Sequence, residues 1–201
     1  ERLATRSLGR PLVVLAETVS TMDEARASLA RGEAAGVVVV ADRQTGGRGT
    51  HGRTWSSPAG EDLYVSFTAR PSVAMERLPT MALAVGLGIA RGIGAFVDPT
   101  RVSLKWPNDV LVDGDKCVGI LVETRATADG IDGVVVGFGI NVNRTRFDLD
   151  AVPRPTSIAL ATGESADRAR VLATVLLEVE RALDTWANEP LTATLEPIDA
   201  M

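Results

Sequence analysis

The sequence predicts an α+β fold: a mixed or largely antiparallel sheet with flanking helices, set on one side of it. Three observations predict it. The elements run strand, helix, strands and a long helix. Between 102 and 141 strands then follow one another directly, before a closing helix; a doubly wound α/β fold would put a helix after nearly every strand. Short turn signals, Asp113-Gly114 and Asp129-Gly130, join those strands. Finally, 45% of the 201 residues are hydrophobic, enough for one full domain core.

In chain order, residues 12–15 read as a short strand. Ser20 or Thr21 offers a helix cap, with Asp23 and Glu24 three residues beyond, as in a capping box. That helix covers about 22–31 and stops at Gly32. The β-branched run 36–41 is a buried strand. A glycine- and arginine-rich loop, 44–60, separates it from the alternating strand 63–69. Residues 78–97 form a long apolar helix rich in alanine and glycine. Strands follow at 102–106, 110–112, 117–125 and 133–141, then an amphipathic helix at 165–187. From Asn188 onward there are two prolines and little pattern, so 1–187 is read as one domain and 188–201 as a tail.

Composition narrows the function. A net charge of -5 argues against general nucleic-acid binding, which needs a basic field. The single cysteine, Cys117, rules out a disulfide within the chain and points to a reducing, cytoplasmic compartment. Residues 1–10 are polar with three arginines, unlike a signal peptide, and the longest apolar runs, 36–41 and 133–140, are too short to span a bilayer. The chain opens at Glu1 rather than methionine, so a domain on either side stays open.

Gly47-Arg48-Gly49-Thr50-His51-Gly52 matches the dinucleotide fingerprint G-x-G-x-x-G and follows a strand. The fingerprint requires a helix directly afterwards, to hold a pyrophosphate at its N-terminus. Pro58 and Gly60 break any such helix, and the Gly-Lys-Ser/Thr ending of a P-loop is missing too. The loop's own chemistry is more informative. Its glycines let backbone N–H groups approach a ligand. Arg48 and Arg53 are permanent cations in a net acidic chain, and the indole of Trp55 suits stacking on a base. A phosphorylated planar ligand fits this set; a solvated arginine-rich hairpin loop is the alternative.

Lys105-Trp106-Pro107-Asn108-Asp109 ends a strand, and Pro107 takes Trp106 out of helical geometry. Trp106 and Cys117 are read as core residues. Lys116 stands at the head of an apolar strand, where burial without a partner is costly and an anionic ligand would supply one. An exposed strand end is the other reading. Gly137-Phe138-Gly139-Ile140-Asn141 puts glycines inside a strand, a mark of close approach by a backbone or ligand. Asn141 suits a ribose, phosphate or metal-bound water, and equally a turn cap.

In this order, these segments resemble the biotin–protein ligase family. Ser20-Thr21 opens the set. The run from Gln44 to Trp55 follows, then Ser57-Pro58, Gly60 and Leu63-Tyr64-Val65-Ser66. Lys105 to Asp109, Lys116 with Gly119-Ile120-Leu121, and Gly137 to Asn141 complete it. The resemblance implies the biotin–lipoate ligase fold, like that of class II aminoacyl-tRNA synthetases. It implies a two-step reaction with ATP and Mg²⁺. Biotin carboxylate attacks the α-phosphate to give biotinyl-5′-adenylate and pyrophosphate. A lysine of a biotin carboxyl carrier protein, part of an acyl-CoA carboxylase, then attacks the acyl carbon and AMP leaves.

By the same resemblance, Ser20, Thr21 and Gln44 would bind the ureido ring, with Gly47, Arg48, Gly119 and Lys116 also at the biotin. Arg48 and Arg53 would face the phosphates as catalytic cations, and Lys116 would stabilise charge between acyl oxygen and phosphate. Asn108 would serve phosphate and Mg²⁺, Asn141 the nucleotide and Trp55 the adenine. Asp109 is a candidate base or orienter for the incoming lysine. A homodimer stays open.

Members often carry arginine where this chain has Thr50. The winged helix of repressor-type members is missing, and only about fifteen residues follow Ala187 where members continue into a small β domain. Two rivals remain. A lipoate–protein ligase would share fold and adenylate chemistry, though Gly-Arg-Gly-x-x-Gly-Arg-x-Trp favours biotin. A non-catalytic biotin- or nucleotide-binding module is the other; retention of Lys116, Arg48 and Asn108 together argues against it.

Overall fold

The computed structural model describes residues 3–127, 130–147 and 154–199. Its centre is a seven-stranded sheet in the order β1-β2-β3-β7-β6-β5-β4. The strands are β1 (Leu12–Thr18), β2 (Val38–Gln44), β3 (Leu63–Ala69), β4 (Val102–Lys105), β5 (Asp109–Val112), β6 (Asp115–Thr127) and β7 (Gly130–Ile140). Only β1 and β2 pair in parallel, across helix α1 (Thr21–Ala30); every other pair is antiparallel. The mixed, largely antiparallel sheet is therefore as expected. Asp129, of the expected 129–130 turn, lies outside the described residues; Gly130 already belongs to β7.

The helices occupy both faces rather than one. Side chains alternate across a strand, so Val39 and Val135 meet Met22, Ala25 and Leu29 of α1. Val38, Val40, Val65, Phe67, Val134, Val136 and Ile140 face the other way, toward α2 (Met81–Ile93) and α4 (Arg168–Asn188). Strands β2, β3 and β7 are buried on both faces, which is why they read as continuous apolar runs. Gly88 and Gly92 let α2 and α4 touch closely: a Cβ at Gly88 would sit 2.8 Å from the Glu178 carbonyl oxygen, and one at Gly92 2.8 Å from the Val175 Cα.

Other differences have local causes. β1 extends to Thr18 because it pairs with β2 as far as Gln44, while its exposed outer edge carries too few apolar residues to signal its length. The long helix starts at Met81, after a 3₁₀ turn, Met75–Thr80, that holds Pro79. Ser157 caps a short helix, α3 (Ile158–Thr162), that ends at Gly163 with φ +79°. The last residues are not patternless, since α5 (Thr192–Asp199) packs on α2 and α4. Trp106 is 78% exposed, not core. Lys105 pairs with Asp109, so Trp106 lies in the tight β4–β5 turn with no layer above it. Cys117 is fully buried, and burial pushes its thiol up to about 12. No helix among the described residues is long and apolar enough to cross a membrane.

Candidate active site

A cavity of about 390 Å³ opens where the carboxyl end of β2, the N-terminus of α1 and the middle of β6 and β7 meet. It gathers nearly all the residues singled out above: Ser20, Thr21, Gln44, Arg48, Arg53, Trp55, Asn108, Lys116, Gly119 and Asn141. Gly47 and Asp109 are outside its lining; Asp109 reaches it only through its ion pair with Lys116. Gly47 closes the turn beneath the loop, where a Cβ would stand 2.7 Å from Ser57 Oγ. A second hollow, about 460 Å³, lies along residues 45–54, Leu121 and Glu123 and includes Gly47.

One end of the cavity is a fixed polar cluster. Ser20 caps α1 by accepting from the Met22 N–H at 3.3 Å. Gln44 Oε1 accepts from the Thr21 N–H (2.9 Å) and hydroxyl (3.1 Å), and its Nε2 donates to Ser57 Oγ at 3.0 Å. Thr21 and Ser66 hydroxyls meet at 2.8 Å. Both threonine and serine are buried, so these bonds hold the amide of Gln44 in one orientation.

The floor is made of backbone. Gly119 and Gly139 face each other across β6 and β7, and Trp55 lies on them. A Cβ at Gly119 would come 2.7 Å from Trp55 Cζ3, and one at Gly139 would overlap the indole nitrogen. Gly137 leaves room for the Met22 thioether in the same way. Only glycine permits this approach, which is made here by two side chains, Trp55 and Met22, rather than by the backbone or ligand expected.

Lys116 has two neighbours. Its Nζ is 2.6 Å from Asp109 Oδ1 and 5.6 Å from the Trp55 ring centroid. The ammonium is one-fifth exposed and the carboxylate less, so an ion pair meets part of the cost of burying either charge. The partner inferred for Lys116 is thus present within the chain, while the cation still lines the cavity. Asn108 Nδ2 donates to the Ile120 carbonyl at 2.7 Å, and Asn141 Nδ2 to that of Thr156 at 2.9 Å. Both side chains are fixed by backbone, which leaves their Oδ1 atoms for other partners.

The glycine loop crosses above this floor, with a single 3₁₀ turn at Thr50–Gly52 and His51 at φ +56°. Arg48 does not stand free. It forms two bonds to Asp23 in the first turn of α1, at 2.9 and 2.7 Å, and the Arg48 guanidinium holds the Asp23 carboxyl below the usual carboxylate range. Arg53 and His51 are exposed. Sequence reasoning missed Arg144, Arg146 and Phe147, which line the cavity just after β7. An arginine–aromatic run three residues beyond Asn141 was the available signal. Among the described residues, no group of three or more His, Cys, Asp or Glu side chains could hold a metal.

The chain is similar to known proteins in sequence and in fold. The model of the biotin/lipoate A/B protein ligase family matches residues 16–141. The bifunctional ligase/repressor BirA of Bacillus spizizenii is 36% identical over 193 residues, which are 94% of this chain and 59% of that protein. The biotin–[acetyl-CoA-carboxylase] ligase of Mycobacterium tuberculosis is 36% identical over 183 residues, 89% of this chain and 66% of its own length. This chain therefore spans less than two thirds of either relative. Among solved structures, the biotin protein ligase of Aquifex aeolicus in complex with biotin and ATP superposes with a TM-score of 0.79 at 32% identity, covering 93% of this chain and 76% of that one.

Proposed function

The chain belongs to the biotin/lipoate A/B protein ligase family, and from that premise we propose that it is a biotin–protein ligase. It activates biotin with ATP and passes it to a lysine of a biotin carboxyl carrier protein in an acyl-CoA carboxylase. The observation that carries the reading is Lys116. A lysine ammonium lines a cavity with a fixed amide cluster at one end and a glycine–arginine loop above. The biotin named for the relatives reported above supports biotin over lipoate.

The chemistry follows from positions. Ser20, Thr21 and Gln44 present oriented donors and acceptors to the ureido group, whose buried bonds make recognition selective. A carboxylate oxygen of biotin attacks the α-phosphorus, and the bond to pyrophosphate breaks. Lys116 stabilises the charge on the phosphoryl and acyl oxygens as it develops. Arg48, released from Asp23, and Arg53 take the phosphates, while Trp55 lies beside the base and Asn141 borders the nucleotide. Holding both reactants at one floor converts a two-body encounter into a positioned one. In the second step the carrier amine attacks the acyl carbon and the bond to AMP breaks. A phosphate that draws Lys116 away frees the Asp109 carboxylate to take the amine's proton.

Magnesium fits as an ion carried by the triphosphate rather than by a cage of side chains, since no acidic cluster among the described residues offers one. Asn108 Oδ1 is its candidate protein oxygen, and the ion would neutralise phosphate charge. The free, buried Cys117 supports a reducing, cytoplasmic setting.

The test is pyrophosphate release from ATP with biotin, with lipoate and with neither. Release with biotin alone is the expected result. Release with lipoate alone would make the chain a lipoate ligase, and none with either would leave a binding module.

A further inference from the structure

Arg144 is the most buried cation bordering the cavity, only 7% exposed, and the reaction as written gives it no task. Its Nη2 reaches Asp62 Oδ2 at 2.5 Å, the Ser56 carbonyl at 2.9 Å and the Tyr64 hydroxyl at 3.2 Å. Asp62 is fully buried, and its Oδ1 accepts from the Val142 N–H at 2.9 Å. Tyr64 in turn donates to the Pro58 carbonyl at 2.8 Å. One buried cluster thus ties together the entry to β3, the exit from β7 and the descending leg of the glycine loop. The pair with Asp62 offsets the charge of Arg144, so its distinctive output is geometric: one guanidinium nitrogen, Nη2, held in plane where it meets Asp62, Ser56 and Tyr64 at once.

We propose that Arg144 is a positioning residue: with Tyr64 it anchors residues 56–58, the leg that carries Trp55, and so fixes Trp55 over the Gly119–Gly139 floor. The other leg has its own support, in backbone bonds from Thr45 and Gly46 to Thr18 and Val19. Gln44 bonds Ser57 of the anchored leg, by Nε2 to Oγ at 3.0 Å and by its backbone N–H to the carbonyl at 3.3 Å, but two bonds from Thr21 hold its Oε1 separately. Loosening the anchor therefore acts first on the nucleotide end of the cavity, and less on the biotin end, where Thr21 still holds Gln44. The kinetic part of this inference rests on the ligase reading above; the structural part does not.

The experiment compares Tyr64→Phe and Arg144→Lys with the wild-type chain. Phenylalanine keeps the shape of the core residue and removes only the hydroxyl that holds Pro58 and Arg144. Lysine keeps a cation for Asp62 and loses the planar Nη2 that reaches Ser56 and Tyr64. Two readouts are taken: amide hydrogen exchange without ligand, and biotin-dependent pyrophosphate–ATP exchange. In both variants the Trp55 amide should exchange faster, and KM for ATP should rise by about three- to tenfold, the worth of one hydrogen bond, with KM for biotin rising by less.

If Arg144→Lys alone raises KM for ATP, Arg144 touches the nucleotide directly and the proposal is wrong. Faster exchange spread equally over β3 and β7, with both KM values rising by the same factor, would make the cluster a fold-stabilising pair and also overturn it. Unchanged exchange at Trp55 in both variants would do the same. A wild-type chain without biotin-dependent exchange would defeat the ligase reading, and the Trp55 amide would still decide for or against the anchor.

Discussion

Lys116 sits between two partners of opposite kind, the carboxylate of Asp109 and the face of Trp55. Its replacement by alanine should leave the fold intact, because the side chain is partly exposed and borders an open cavity. Adenylate formation should fall by ~3–4 kcal/mol in the barrier, the usual worth of a charge-stabilising donor. Near-normal biotin-dependent pyrophosphate release by Lys116→Ala would remove it from the chemistry. Thr50 borders the same cavity, at a position where the resemblance leads one to expect arginine. A charge-assisted bond contributes ~1.5–3 kcal/mol. Thr50→Arg should therefore slow escape of preformed biotinyl-adenylate by roughly one to two decades. Equal off-rates would mean that the loop is closed by another contact. Residue chemistry was legible in the sequence wherever it was local: a lysine heading an apolar strand, glycines inside a strand, a glycine–arginine loop. Partners far apart in the chain were not. Nothing local in Arg48 announces Asp23, and nothing in Trp106 says that a hairpin turn leaves it in solvent.

At the scale of elements, the loop 44–60 is the part whose behaviour should change most. It is long and glycine-rich, yet the first of its two arginines, Arg48, is parked on α1 by an exposed ion pair of little intrinsic strength. An incoming phosphate can compete for Arg48 at small cost. Amides of 48–54 should exchange quickly in the free protein and slowly with biotin and ATP, and equal protection in the two states would contradict this. The floor gives a second test. Gly139→Ala puts a methyl group where the indole lies, and overpacking of this kind costs ~1–3 kcal/mol. Trp55 should be displaced, weakening ATP binding more than biotin binding in direct titrations; unaltered ATP affinity would show that the ring is not held there. The strands were readable because their apolar runs are bounded by turn signals. Helix α5 was not, since Pro197 and a short weak pattern conceal a segment whose helicity comes from packing on α2 and α4.

Across the whole molecule, the segment before β1 is fastened to the closing helix. Glu180 accepts from the backbone N–H groups of Arg6, Ser7 and Leu8 and from the Ser7 hydroxyl. Burial alone would raise its carboxyl, but these donors outweigh that and hold it down at about 2. A depressed carboxylate stabilises the fold above its unfolded pKa, near 4.5, and that stability is lost as pH falls toward 2. Asp62 is raised by burial and works with the opposite sign, so the comparison must be made against a variant. Glu180→Gln should lower stability by ~1.5–3 kcal/mol at neutral pH and flatten the acid decline between pH 4.5 and 2 in urea midpoints; an unchanged acid limb would assign the decline elsewhere. The placing of the three tryptophans has a further, optical consequence. Trp186 is sealed in the core, Trp106 stands in water and Trp55 rests on the cavity floor beneath a cation. Iodide should quench Trp106, Trp186 should emit at the blue edge whatever is bound, and the remaining change in emission on adding substrate should come from Trp55, so the chain carries its own fluorescent gauge of loop closure.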